Sequence, residues 1–178
     1  MQRVILILAL LLAAGTMAIG QGPRAKKQPG SAPIAPLKNA AKQFVTTGCD
    51  PMLWPHVYHP TRLVKIEDCI AVTGTIQHVK PEADGDLHIQ LKVDPEFEGL
   101  LNDANKTAQA NSLVLEPICQ HAPTQLDAIS SCRDFHSNVD VPKKGTKIRV
   151  TGSYVLDTEK PDHGWTEIHP VTKIEVVE

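Results

Sequence analysis

Over residues 86–93 polar and apolar side chains alternate without a break. Asp86, His88, Gln90 and Lys92 fall on one face, and Leu87, Ile89, Leu91 and Val93 on the other. A period of two is the mark of a strand with one buried face; a helix would scatter the same residues around its circumference. Four further runs read as strands: 68–80, 113–118, 147–156 and 165–177, the last interrupted at Pro170. Gly74 and Gly152 stand inside two of them, where a bend or bulge is expected. Residues 81–85 carry turn chemistry, and 94–111 is polar and loop-like with a helical turn expected around 98–104. Residues 123–131 are expected as a short helix starting near Thr124, with Leu126 and Ile129 on one face. The expected class is therefore all-β, five strands with one short helix between strands 3 and 4. A β-sandwich would ordinarily need about seven strands.

Five strands with a helix between the third and fourth is the element order of an OB-like Greek-key barrel. The paired segments Val72-Thr73-Gly74-Thr75-Ile76 and Val150-Thr151-Gly152-Ser153-Tyr154 fall where such barrels bend their first and fourth strands. Together with Asp84-Gly85-Asp86-Leu87-His88-Ile89 and His163-Gly164-Trp165-Thr166-Glu167-Ile168-His169-Pro170, they resemble a group of small exported bacterial OB-like proteins without an assigned activity. That resemblance implies a fold for residues 69–178 and no chemistry.

The N-terminus supplies the compartment. A charged start with Arg3, the eleven-residue apolar run 4–14 and small residues up to Gly20 describe a secretory signal peptide over residues 1–20. Eleven apolar residues are about half of what a membrane-spanning helix needs. Residues 21–47, rich in Pro, Ala and Lys, lack a periodic apolar face and read as a flexible tether, with room for a short helix over 38–44. Residues 48–67 form a Pro-bracketed segment expected to lie as a lid on the barrel, residues 68–178. His56 and His59 read as loop residues there. The mature chain is expected to be exported, periplasmic or secreted, with no transmembrane span. Its four cysteines, Cys49, Cys69, Cys119 and Cys132, then favour two disulfides with three possible connectivities. Cys49–Cys69 with Cys119–Cys132 is preferred, because each closes a short local segment. A thiolate zinc site is disfavoured by the lack of any C-x-x-C pair.

The net charge of −2 divides unevenly. Residues 1–47 carry six basic residues and no acidic one, whereas 48–178 carry 12 basic against 20 acidic, a net of −8. A domain of that sign is a poor partner for a polyphosphate backbone, so nucleic-acid binding would rest on fold analogy alone. OB-like barrels bind ligands on the face of strands 2 and 3, flanked by the 1–2 and 4–5 loops. Here Asp84 and Asp86 lie in the first loop and Asp157 and Asp162 in the second, with Gln90 and Trp165 beside them as candidate ligand-binding residues. Side-chain parity places His88, Glu116, Glu167 and His169 on one outer face, a donor set suited to a divalent metal. Alternating strands also set such residues outward with no function attached. Asp84-Gly85-Asp86 lacks the spaced ligands of a calcium loop and reads as a turn. Cofactors beyond a divalent metal are not implied. The leading expectation is a non-catalytic binding module for a cation, a cationic ligand, another small ligand or an envelope component. A metal-dependent hydrolase on the same patch is the alternative, and single-stranded nucleic-acid binding ranks last.

Overall fold

The first long run of the chain serves two partners at once. In the computed structural model, which describes residues 34–158 and 164–177, β1 spans Leu63–Pro81. Its residues 74–81 pair antiparallel with β2 (Leu87–Val93), while 63–75 pair antiparallel with β4 (Lys147–Asp157). β3 (Leu113–Leu115) runs antiparallel to β2 and parallel to β5 (Thr166–Val176), and β5 pairs antiparallel with β4. The result is one five-stranded sheet closing on itself in a ring, β1-β2-β3-β5-β4. The expected signal peptide, residues 21–33 of the expected tether, and Asp162 and His163 lie outside the described residues.

Both mid-strand glycines sit at close backbone approaches. Gly74 pairs with Val93 on one side and Ile148 on the other. A Cβ there would lie 2.4 Å from the Lys92 carbonyl oxygen. Gly152 falls where the β4–β5 register shifts, and its Cβ would meet Ile168 Cγ2 at 2.4 Å and the Pro170 carbonyl at 2.5 Å.

The inward face is mainly apolar. Ile89, Leu91, Leu113, Leu115, Ile148, Val150, Tyr154 and Ile168 are wholly buried in one cluster. The Tyr154 hydroxyl donates to the Leu100 carbonyl at 2.6 Å, so burying its O–H leaves no unpaired donor. A second, smaller cluster forms from Leu53, Val57, Leu63, Ile118, Cys119 and Val155. Val155 alternates with the core residues Tyr154 and Leu156, so this cluster lies on the opposite face of β4. It seats the Pro-bracketed segment, which folds as 3-10 turns over Pro51–His56 and Pro60–Arg62.

Several helical expectations change. Residues 34–44, expected as tether with a short helix only over 38–44, form helix α1 (Ile34–Ala41) followed by a 3-10 turn, with Leu37 and Ala41 buried and Phe44 against Phe97. Ile34, Leu37, Ala40, Ala41 and Phe44 suffice there because the rest of the contact surface comes from the ring. β1 also begins at Leu63, five residues before the expected barrel start. Between β3 and β4 the expected helix shrinks to a 3-10 turn at Leu126–Ala128. Leu126 is 84% exposed and only Ala128 is buried, so no apolar face holds a longer helix. The short helix instead precedes β3: α2 (Asp103–Ala108), capped reciprocally by Asn102 and Asn105.

Cys49 bonds to Cys69 and Cys119 to Cys132, 20 and 13 residues apart. Closing loops of this length restricts the unfolded chain by about 3 kcal/mol each in the chain-entropy model. Two disulfides fit an oxidising, extracytoplasmic environment. No described helix is long and apolar enough to cross a membrane.

The glycine geometry sets a stability prediction. Gly152→Ala should destabilise the fold by about 2–3 kcal/mol, because backbone atoms of β5 must move to admit a methyl. Gly99→Ala, whose Cβ would meet only Ala40 at an ordinary 3.5 Å, should cost well under about 1 kcal/mol. Urea unfolding of the two variants checks the difference.

Candidate functional site

Register alone assembles the polar site. Gln90 pairs with Val114, and Val114 pairs with Glu167, forming one row of side chains across β2, β3 and β5. Two residues further along, the same register puts His88, Glu116 and His169 in the next row on the same face. The side chains meet as this predicts. His88 Nδ1 lies 3.3 Å from Glu116 Oε1, and His169 Nδ1 lies 2.8 Å from Glu116 Oε2 and 3.1 Å from Glu167 Oε1. Trp165 Nε1 donates to Glu167 Oε2 at 2.9 Å. The four residues expected to converge are contiguous.

They are not the exposed outer patch that parity suggested. Glu167 and His169 are wholly buried and Glu116 is 7% exposed. The covering pieces come from far along the chain. Arg62, from the Pro-bracketed segment, forms ion pairs with Asp157 and, at 3.7 Å, with Glu116 Oε2. Asp86 also departs from its expected role as a solvent-facing ligand residue. It is 2% exposed, and its Oδ1 accepts the Cys119 backbone N–H at 2.7 Å, tying the start of β2 to the disulfide-closed loop after β3. Asp157 is likewise buried, its carboxylate engaged by Arg62.

Above this layer opens a polar cleft of about 550 Å³. Of the expected residues, Asp84, His88, Gln90, Glu116, Asp157 and Trp165 line it, whereas Asp86, Glu167 and His169 lie beneath its floor. Arg62 and Gln109 also reach it and were not singled out in the sequence. Gln109 follows α2, accepts from Gln90 Nε2 at 3.2 Å and lies 3.0 Å from His88 Nε2. Neither has a motif around it; only the folded chain brings them here. Lys80 pairs with Glu82 at the rim.

No protein-family model matches this chain, and no curated protein does. Its chemistry therefore rests on the geometry.

Burial and neighbouring charges set the protonation states. Burial pushes the Asp86 carboxyl up to about 7 despite the His169 charge. Burial, then the nearby Glu116 charge, pushes Glu167 up to about 7. Burial also opposes a charge on Glu116, but His169, His88 and Arg62 outweigh it and hold this carboxyl well below the usual carboxylate range. Burial alone would lower His169, yet Glu116 and then Glu167 raise it to about 10. For His88 burial is again overcome by Glu116, and the imidazole is raised. Burial raises Asp84. At neutral pH the layer holds a Glu116 carboxylate between imidazole groups, with Asp86 and Glu167 near their midpoints.

These shifts fix how stability depends on pH. Asp86 and Glu167 ionise near 3.8 and 4.5 when unfolded but only near 7 when folded, so the folded state binds more protons between those values. Stability therefore falls as pH rises through that window. His169, ordinarily 6.5 and raised to about 10, contributes fully below 6.5 and loses its contribution as pH rises through 10. Glu116 acts oppositely on the acid side, stabilising above 4.5 and losing this as pH falls. In chelator, Tm should decline steadily from about pH 5 to pH 9. Glu167→Gln should flatten the lower half of that decline. Calorimetry across the range checks both, and a Tm that rises over the interval contradicts the assignment.

Proposed function

We propose that this chain is an exported, non-catalytic binding module on an OB-type Greek-key barrel, and that its cleft takes a small ligand carrying a cationic group. The β1-β2-β3-β5-β4 order with parallel β3–β5 pairing supports the OB reading. So does the resemblance of its V-T-G and H-G-W-x-E-I-H-P segments to the exported OB-like group. Export is supported by the two disulfides and by the pattern of residues 1–20.

One observation carries the binding reading: the location and charge of the cleft. It opens over the outer face of β2 and β3, between the β1–β2 turn with Glu82 and Asp84 and the β4–β5 connection with Asp157 and Trp165. OB barrels present ligands at this place. Four carboxylates, Glu82, Asp84, Glu116 and Asp157, line it against the cations Arg62 and Lys80. Arg62 faces Asp157 and Glu116, and Lys80 faces Glu82, so the cations are already engaged. The remaining negative potential, with the Trp165 ring beside it, suits an amine or quaternary ammonium group. Polyphosphates are disfavoured by the same charge. A hydrolase would need its substrate to reach the donor set, and the enclosure of Glu167 and His169 favours binding instead.

Calorimetric titration of the oxidised chain with choline and short diamines, against matched neutral polyols and a single-stranded oligonucleotide, tests this. The amines should bind, and Asp84→Asn and Trp165→Ala should each weaken them about tenfold, roughly 1.4 kcal/mol. Binding of the polyol with no preference for the amine, or oligonucleotide affinity falling steeply with salt, would overturn the reading.

A further inference from the structure

Beneath the cleft floor two buried polar atoms point at each other without touching. His169 Nε2 and Asp86 Oδ2 lie 4.0 Å apart in side chains that are 0% and 3% exposed. Neither atom has a hydrogen-bond partner among the described residues. Buried groups are rarely left so, because each has given up its water. The separation is too long for a direct hydrogen bond.

The surroundings of the two side chains point to one occupant. Nδ1 of His169 is held by Glu116 at 2.8 Å and Glu167 at 3.1 Å. Carboxylates accepting from Nδ1–H orient the ring, as proteins orient metal-binding histidines, and a cation arriving at Nε2 displaces the proton there. Nε2 faces the Asp86 carboxylate. Asp86 is fixed in turn by the Cys119 N–H on its other oxygen, and Glu167 by the Trp165 N–H. Zinc binds imidazole nitrogen and carboxylate oxygen at about 2.0–2.2 Å, so two donors on one ion stand up to about 4.2 Å apart. Donor atoms of Asp86, Glu116 and His169 all lie within 4.8 Å of one another; to join a cation on Nε2, Glu116 leaves Nδ1 to Glu167 and turns toward the ion.

We propose that Asp86, Glu116 and His169 bind one borderline divalent cation of zinc's class beneath the ligand cleft. The donor set differs from the one read in the sequence. Glu167 moves outward to orient His169, and His88 is occupied through both ring nitrogens by Glu116 and Gln109. A grouping of Asp86 with Cys119 and Cys132 carries no such site, because those two sulfurs are bonded to each other. The site goes beyond the cleft reading and shares only Glu116 with it.

The test uses the full oxidised chain, stripped with chelator and reloaded. Zinc should bind at about one equivalent by elemental analysis, and at about 100 times its Kd should raise Tm by roughly 5–10 °C. Cobalt should give visible bands of a nitrogen–oxygen site in the unsubstituted chain, a readout that needs no variant to fold. Asp86→Asn and His169→Gln should abolish the Tm shift, whereas His88→Ala should keep it. Amine binding that persists in Asp86→Asn would separate the two sites. Lack of zinc and cobalt binding by the unsubstituted chain overturns the proposal. So does His88→Ala removing the shift as completely as Asp86→Asn.

Discussion

Three residues close the ring. Leu113, Val114 and Leu115 are the whole of β3, yet they pair antiparallel with β2 and parallel with β5, and without them the sheet would have two open edges. Their inward side chains, Leu113 and Leu115, complete the apolar interior between Ile89, Leu91 and Ile168. The same register carries the chain on to Glu116 and sets it between His88 and His169. Core and polar layer are thus two faces of one pairing. A slip of one residue in β3 would turn Glu116 into the hydrophobic interior and a leucine into the polar layer.

The polar layer holds charge where solvation is poor, and its arrangement limits the cost. A buried carboxylate is tolerated when it is paired and hydrogen-bonded. Glu116 meets that condition through His88, His169 and Arg62. Asp86 and Glu167 have fewer opposing charges and respond by holding their protons to about pH 7. The segments that shield the layer gain little from regular secondary structure, so covalent ties do part of the holding. Cys49–Cys69 anchors the Pro-bracketed turns that deliver Arg62, and Cys119–Cys132 anchors the loop whose N–H fixes Asp86.

Much of this was legible from residue order. The alternation in 86–93 and the outward parity of Glu167 and His169 depend only on a strand's period of two, which needs no knowledge of partners. The preferred disulfide pairing followed from loop length. What parity could not show is what lies over a face. His169 and Glu167 read as outward and are outward of the ring, yet both are wholly buried, with Trp165 on Glu167, Asp86 opposite His169 and Arg62 over the neighbouring Glu116. Asp86 and Asp157 read as acidic loop residues because burial of a charge depends on its partner, and Cys119 and Arg62 are remote in the chain. Helix α1 was only partly legible for a related reason: a short helix over 38–44 was readable, but its start at Ile34 rests on an apolar side that the ring completes. The expected helix at 123–131 erred in the other direction, since Leu126 and Ile129 have the spacing of a buried stripe but no surface opposite them.

By itself the sequence determined the local conformations: which runs are strands, which face of each is apolar, where glycine must admit a neighbouring backbone, and which cysteines are near enough in the chain to pair. These follow from short-range sterics and periodicity. Tertiary structure decided what those faces meet. It moved the His/Glu patch from surface to floor, brought Arg62 and Gln109 to the cleft, and set Asp86 opposite His169. Proximity between segments tens of residues apart depends on ring closure and register. Those are properties of the whole sheet, and no window of the sequence contains them.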